Sequence, residues 1–255
     1  MKILVAIKQV PGRDSELRVR PDGKWVEEGG LEFAINEPDA YALEAALELR
    51  DGSENGEVVA LCAGPERVST TIREALAKGA DRAIHVEVND IEEWDSLAVA
   101  RVLSAAAKAE GADLVLTGLQ SDDLGAGQTG VVVAELLGWP HATIIMQVEN
   151  EEGAVKVKRE LEDGYFQWVK MPRPAVLTIQ SGIKKLRYAT LMGIKKAKGK
   201  EVKLVTPEDL GVQREAAYEV VRVAMPERVK QTVLLEGAGA AAELVERLKT
   251  EARAL

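Results

Sequence analysis

The chain has 255 residues, of which 46% are hydrophobic and only 4% aromatic, so its core must consist mainly of aliphatic side chains. The formal net charge of −9 argues against nucleic acid as the main partner, since phosphate binding requires a basic surface. No apolar run approaches the ~20 residues of a membrane helix, and the apolar start is too short for a secretory signal. We therefore expect a cytoplasmic protein without membrane insertion, with a processed organelle protein as the alternative.

The first half of the chain alternates predicted strands with predicted helices. A continuous apolar run, typical of a strand buried on both faces of a parallel sheet, lies at residues 1–7, and further strands are predicted at residues 57–63, 82–88 and 114–118. Helical spacing or capping signals predict helices at residues 38–50, 65–79, 93–110 and 131–137. A weaker alternation predicts a hairpin at residues 16–28. This order predicts an α/β fold with a doubly wound, mostly parallel sheet.

The second half begins with a different pattern. Short alternating segments separated by acidic-Gly turns predict an antiparallel meander at residues 143–148, 154–161 and 165–169, followed by a strand at residues 175–180. Residues 181–203 form a basic stretch with little periodicity, which predicts a loop. After Thr206 the sequence predicts a short helix, and then a final helix at residues 240–253. We therefore predict an α/β domain over residues 1–205 and a C-terminal tail over residues 206–255.

A glycine-rich loop follows the strand at residues 114–118. Residues 125–130 match G-x-G-x-x-G, but they lie well past the strand and outside the first strand-helix unit, which argues against a classical dinucleotide site. Small residues before a helix still let backbone N–H groups approach an anion, and Gln128 and Thr129 could add donors. In the alternative interpretation, Asp122, Asp123 and Thr129 only cap the helix.

Two further groups could line a ligand crevice. Asn36 precedes Pro38 and is a good N-cap for the helix that follows, although the Asn36–Asp39 turn could also face the crevice. Ala6 and Ala63 end the first two strands. Small side chains there could admit a planar base, or could simply allow tight packing.

The basic stretch is the third candidate. Eight basic residues and one acidic residue lie between residues 184 and 203, and they are interleaved with apolar side chains. Exposed apolar residues surrounded by cations favour a docking surface for an acidic or apolar partner, whereas a charge run alone is usually a solvated face. The predicted docking residues are Tyr188, Leu191, Met192, Ile194 and Lys195.

Catalytic chemistry is not indicated. Cys62 lies inside an apolar strand, as expected of a buried and inert thiol, and His85 at the end of a predicted strand suggests a structural role. One cysteine and two histidines are too few for a disulfide or a histidine-based metal site. We therefore predict no catalytic residue and no metal site.

Taken together, the motifs resemble the β subunits of electron-transfer flavoproteins along nearly the whole chain. The most specific match is the segment from Val157 to Gly164 followed by residues 174–178, which is similar to the family signature. Other matching segments are residues 2–10, 36–38, 63–65, 79–82, 85–86, 113–118, 128–130 and 187–191, the last similar to the family's partner-recognition loop.

The resemblance implies an adenine-nucleotide α-hydrolase-like fold and a heterodimer in which an α subunit holds most of the FAD. This chain would then be a nucleotide-binding electron carrier, not an enzyme, with AMP as a structural cofactor. The AMP contacts carried over by position are Ala6, Asn36, Glu37, Pro38, Asp39, Ala63, Gly118, Asp122, Asp123, Gly125, Ala126, Gly127, Gln128 and Thr129.

The same resemblance implies the partners. The recognition loop at residues 182–200, with Leu191 as an apolar anchor, would seat acyl-CoA and related dehydrogenases of fatty acid oxidation. Electrons would pass to an electron-transfer flavoprotein quinone oxidoreductase. The tail at residues 206–255 would pack on the body or on the α subunit. Two alternatives stay open: an electron-bifurcating type with a second FAD in the AMP site, and an ATP-using enzyme of the adenine-nucleotide α-hydrolase class.

Overall fold

The computed structural model describes residues 1–226 and 232–254, which contain a large sheet, a small sheet and several helices. The strands are β1 (Lys2–Ala6), β2 (Gln9–Pro11), β3 (Phe33–Ile35), β4 (Glu57–Gly64), β5 (Arg82–Glu87), β6 (Leu114–Gly118), β7 (His141–Glu151), β8 (Ala154–Glu160), β9 (Phe166–Pro172), β10 (Ala175–Ile179) and β11 (Val202–Val205). The helices are α1 (Glu37–Asp51), α2 (Ser69–Lys78), α3 (Ser96–Glu110), α4 (Thr129–Leu137), α5 (Leu191–Ala197) and α6 (Ala240–Thr250).

The large sheet confirms the predicted α/β class. Its strand order is β11-β5-β4-β1-β6-β10-β7-β8-β9. The strands from β11 to β7 are all parallel to their neighbours, and β7, β8 and β9 form the predicted antiparallel meander. The chain order reverses beside β1, because β4 lies on one side of it and β6 on the other. Ligands of doubly wound sheets bind at such a reversal, at the carboxyl ends of the strands.

Two aliphatic layers hold helices on both faces of the sheet. One layer joins α1 and α2 to the strands through side chains such as Leu43 and Ile72. The other joins α3 and α4 to the opposite face through side chains such as Val102 and Val133. Burial of apolar area at roughly 25 cal/mol per Å² is the main stabilising term in such a fold.

Three features differ in detail between the sequence prediction and the structure. The helix predicted at residues 93–110 begins later, at Ser96, because the side chain of Asp95 accepts a hydrogen bond from the Ala98 N–H at 2.8 Å and caps α3. The hairpin predicted at residues 16–28 contains a single bridge between Val19 and Val26. His85 lies within β5 rather than at its end.

The prediction of an irregular loop at residues 181–203 was wrong. This stretch contains α5 and the edge strand β11, which pairs with β5 in parallel. The side chain of Thr190 starts α5 by accepting a hydrogen bond from the Gly193 N–H at 3.0 Å. Both elements are too short to show a clear period in sequence, since α5 spans 7 residues and β11 spans 4.

Contacts divide the chain into two units, Met1–Val223 and Ala224–Leu255. The first unit contains both sheets and α1 to α5. The second contains α6, on which Leu244, Val245 and Leu248 follow helical spacing. Within the predicted tail, residues 227–231 and 255 lie outside the described residues. No helix in the described ranges is long and apolar enough to cross a membrane.

Candidate functional site

A cavity of about 450 Å³ lies at the carboxyl ends of β1, β4 and β6. Ala6, Ala63 and Gly118, at or next to the last positions of these strands, all line it. The volume falls within the range of about 300–1,000 Å³ that is typical of small-molecule sites. The chain reversal beside β1 therefore produces a ligand-sized crevice at the edge that the fold predicts.

The cavity brings together most of the residues predicted to contact a nucleotide. Those that line it are Ala6, Asn36, Asp39, Ala63, Gly118, Asp122, Asp123, Ala126, Gly127, Gln128 and Thr129. Glu37, Pro38 and Gly125 are not in the lining. Glu37 instead pairs with Arg13, and Pro38 is buried against Gly118.

Asp39 joins two of the strand ends. Its carboxylate accepts hydrogen bonds from the backbone N–H of Lys8 and from that of Gly118, each at 2.8 Å. Burial raises the pKa of Asp39 to about 6, although the two N–H donors and the nearby Lys8 ammonium act in the opposite direction. Asp39 therefore fixes the distance between the ends of β1 and β6 beside the cavity.

Asn36 has a different role from the predicted one. No side-chain hydrogen bond from Asn36 caps α1. A capping side chain bonds the second or third N–H of a helix, and Pro38 at the second position removes one of these two groups. Instead, the buried Asn36 amide donates to the Gln120 carbonyl at 3.0 Å and accepts from the Asp122 N–H at 2.9 Å. It thereby holds the start of the glycine-rich loop.

An ion pair holds the same loop from its other side. The Lys8 ammonium lies 2.7 Å from Asp123 and 3.3 Å from the Ser121 hydroxyl. Desolvation is the largest single effect on Asp123 and would raise its pKa. The Lys8 charge and the hydrogen bonds from Lys8, Ser121 and the Leu124 N–H together outweigh it, and they lower that pKa. Asp122 lies 3.8 Å from Arg13, and neither acidic residue caps α4.

The glycine-rich loop passes through two left-handed glycines into the start of α4. No side chain caps the N-terminus of α4 within the described structure, and Thr129 is its first residue, so the capping interpretation of the loop was wrong. Gly125 and Gly127 have φ of +62° and +63°, a region that favours glycine. A Cβ on Gly130 would lie 2.6 Å from the Thr117 hydroxyl, so the helix approaches the sheet closely.

Sequence reasoning missed the aromatic side of the cavity. Trp25, Phe33 and Trp94 line it, together with Arg67. The Arg67 guanidinium lies 4.2 Å from the centre of the Phe33 ring and 2.9 Å from the carboxylate of Glu28. The sequence gives little signal for this side, since Trp25 and Trp94 are two of only four tryptophans and lie far apart along the chain.

The two residues considered for chemistry are held inside the sheet. Burial raises the pKa of the Cys62 thiol to about 12, with the nearby Asp39 charge as a second cause. The His85 ring lies 2.8 Å from the Gly64 carbonyl. In residues 1–226 and 232–254, no group of three or more His, Cys, Asp or Glu side chains could hold a metal ion.

The predicted docking residues form an exposed surface on and before α5. Tyr188 is 86% exposed and Leu191 is 88% exposed, while Met192, Ile194 and Lys195 are also exposed. We call residues 187–195 the docking segment. Large apolar side chains with this exposure indicate a contact surface.

Together these features define an α/β protein with a ligand crevice at the chain reversal of its sheet and a separate exposed docking segment. Comparison with known proteins identifies its family. The profile described as "Electron transfer flavoprotein domain" matches residues 24–210. The chain belongs to the electron transfer flavoprotein family and is similar to its β subunits. At this level its function is electron transfer in association with a flavin, an α subunit and redox partners.

Individual relatives cover nearly the whole chain. The electron transfer flavoprotein subunit beta of Methylophilus methylotrophus is 39% identical over 243 residues, which is 92% of each chain. The mitochondrial subunit beta of Oryza sativa subsp. japonica is 42% identical over 257 residues, with 100% of each chain covered. The subunit beta of Homo sapiens is 40% identical over 228 residues, or 89% of each chain.

Proposed function

We propose that this chain binds AMP in the cavity as a structural cofactor and pairs with an α subunit that holds most of the FAD. In this role it accepts electrons, through that FAD, from acyl-CoA and related dehydrogenases. It passes them towards an electron-transfer flavoprotein quinone oxidoreductase. The observation that carries the proposal is the cavity itself, which gathers residues from three strand ends and the glycine-rich loop.

The cavity suits an adenine mononucleotide. Ala6 and Ala63 leave room for a flat base between the ends of β1 and β4. The loop at residues 125–130 and the uncapped start of α4 direct backbone N–H groups and a helix dipole towards a phosphate. Asn36 and Lys8 hold that loop in place. A bound AMP would therefore join the loop to the strand ends and stiffen this edge of the sheet.

The second candidate is a bifurcating complex with a second FAD in the same cavity. Trp25, Phe33 and Trp94 favour it, because they extend the cavity with surfaces on which a second aromatic ring system could stack. The two candidates differ in the nucleotide that the purified protein carries.

The nucleotide test uses the co-expressed, purified complex of this chain with its α subunit. Denaturation, followed by chromatography and mass spectrometry of the released nucleotides, gives their identity and stoichiometry. FAD and AMP in equal amounts would support the proposal. Two FAD and no AMP would select the bifurcating type, and FAD alone at one per complex would refute a nucleotide role for the cavity.

The docking segment is proposed to bind the electron donor through Leu191. A partner that buries this exposed leucine, with cationic neighbours such as Lys195, would need an apolar pocket with an acidic rim. Leu191→Ala should raise the KM for an acyl-CoA dehydrogenase roughly tenfold, in line with about 1.4 kcal/mol for part of a buried leucine. FAD and AMP content should not change.

The matched control is Leu136→Ala, which shortens an exposed leucine on α4. It should leave the KM unchanged. An unchanged KM in Leu191→Ala would show that the docking segment does not contact the donor.

The tail and the compartment stay predictions. We propose that the tail at residues 206–255 packs on the body or on the α subunit. The α subunit is the proposed partner of α6, since the apolar positions of that helix follow one stripe. The sequence favours the cytoplasm, whereas the rice relative is named as a mitochondrial protein. Cell fractionation of the source organism would decide the compartment.

A further inference from the structure

The docking segment is tied to α1 through a buried carboxylate. Glu44 is 5% exposed, although it is a charged residue on a helix that packs against the sheet. Its two carboxylate oxygens accept hydrogen bonds from the Arg187 backbone N–H at 3.0 Å and from Nε of the same residue at 2.9 Å. One further guanidinium nitrogen lies 2.9 Å from the carboxylate.

The buried Glu44 carboxylate destabilises the fold unless its hydrogen bonds are complete. A buried carboxylate loses its hydration, and hydrogen-bonded partners must replace that hydration for the fold to tolerate the charge. Arg187 supplies both backbone and side-chain donors, and it also reaches Asp51 at 3.3 Å. The planar guanidinium fixes the orientation as well as the distance of the pair.

A second ion pair links the same two parts of the chain but differs in burial. Lys184 lies 2.9 Å from Glu48, one helical turn after Glu44. Both side chains of this pair are more than 40% exposed, so solvent screens their attraction. The pair therefore provides a natural control for the buried one.

The other end of the docking segment is also held. Gly193 of α5 lies so close to the Ala77 carbonyl that a Cβ there would overlap it. The Arg73 guanidinium donates to the carbonyl of Ala197 at 2.7 Å. Residues 188–190 thus span the short distance between the Arg187 anchor and α5, whose first residue is the exposed Leu191.

We propose that Glu44 and Arg187 are positioning residues for donor docking. They hold Tyr188 and Leu191 in a binding-ready arrangement, so that the donor does not have to order the segment when it binds. Ordering a loop at an interface reduces affinity, and pre-ordering it recovers that loss. The proposal rests on the proposed docking function of the segment.

The test uses the complex with the α subunit, and an acyl-CoA dehydrogenase reduced by its acyl-CoA substrate as the probe. Glu44→Gln keeps the shape of the side chain but removes the charge and one acceptor. We expect the KM for the dehydrogenase to rise roughly tenfold, equivalent to about 1.4 kcal/mol, with kcat and nucleotide content unchanged. Glu48→Gln should leave the KM within about twofold, as expected for an exposed pair.

Two further measurements keep the test decisive. Arg187→Lys, at a position that is partly exposed and outside the core, retains the charge but loses the forked geometry, and should give an intermediate increase in KM. Amide hydrogen exchange in residues 187–192 should accelerate in both variants, while exchange in β1 and β6 stays as in the wild type. This pattern separates local release of the segment from general loss of stability.

The outcomes are distinct. Faster exchange in the segment with an unchanged KM would overturn the positioning role, as would equal effects of Glu44→Gln and Glu48→Gln. If Leu191→Ala also leaves the KM unchanged, the docking function itself is wrong. If Leu191→Ala raises the KM and Glu44→Gln does not, only the positioning role of Glu44 fails.

Discussion

Replacing Asp39 by asparagine should change how stability depends on pH. The folded protein holds this carboxyl with a pKa of about 6, against an ordinary value of 3.8, mainly because the group is buried. Between these two values the folded state binds the proton more tightly than the unfolded state. The contribution of Asp39 to the free energy of unfolding therefore decreases as the pH rises from about 4 to about 6.

The size of this effect follows from the shift. The difference between the two pKa values corresponds to about 3 kcal/mol, because one pKa unit corresponds to about 1.4 kcal/mol. Asp39→Asn removes the titrating group but keeps the side-chain shape. The free energy of unfolding of the wild type, minus that of the variant, should fall by up to about 3 kcal/mol between pH 3.5 and pH 7.

Urea unfolding of both proteins at several pH values measures this difference. Taking the difference removes the contribution of the other carboxylates, because both proteins share them. A difference that is constant or rises with pH would refute the reasoning. It would mean that the N–H donors of Lys8 and Gly118 stabilise the carboxylate more than burial destabilises it.

The remaining predictions concern the same edge of the sheet. Gly118→Ala would place a Cβ 2.5 Å from the Asp39 carboxylate. It should therefore lower the free energy of unfolding, measured by denaturation, by roughly 1–3 kcal/mol, and a nucleotide assay should find less bound AMP. Gly29→Ala, with open space around its Cβ, should change neither. Asn36→Ala removes both side-chain hydrogen bonds to the glycine-rich loop, so AMP release, measured by exchange with labelled AMP, should become faster. An unchanged release rate would show that the loop is held without Asn36.

The elements that could be predicted from the sequence are those with a clear hydrophobic period. The buried strands β1, β4, β5 and β6 are rich in apolar residues, and the structure has them within about one residue of the predicted ends. The meander is also predicted, from turns that carry acidic residues and glycine, but β7 and β9 each end three residues later than predicted. These features depend on neighbours in sequence, so the sequence contains the information directly.

The features that could not be predicted depend on contacts between distant residues. Asn36 was interpreted as a helix cap because of its position before α1, whereas its partners, Gln120 and Asp122, lie more than eighty residues away. The burial of Glu44 depends on Arg187, which no local pattern of α1 indicates. Such pairings become visible only when the fold brings the two segments together.

Helix α1 emerges as the common support of the two proposed sites. At its start, Asn36 and Asp39 hold the glycine-rich loop and the strand ends around the cavity. Further along, Glu44 and Asp51 hold the docking segment through Arg187. Asn36 and Glu44 are about 12 Å apart along the helix, at 1.5 Å per residue, and they share no partner.

Because they share no partner, perturbations at the two positions should act independently on nucleotide retention and on donor binding. A change that tilts the whole helix, such as the loss of its buried Leu43 or Leu47, would affect both sites together. The residues that support nucleotide retention thus have different contacts from those that support donor binding, although both sets are carried by α1. A complex that must keep its nucleotide while donors bind and leave requires that combination.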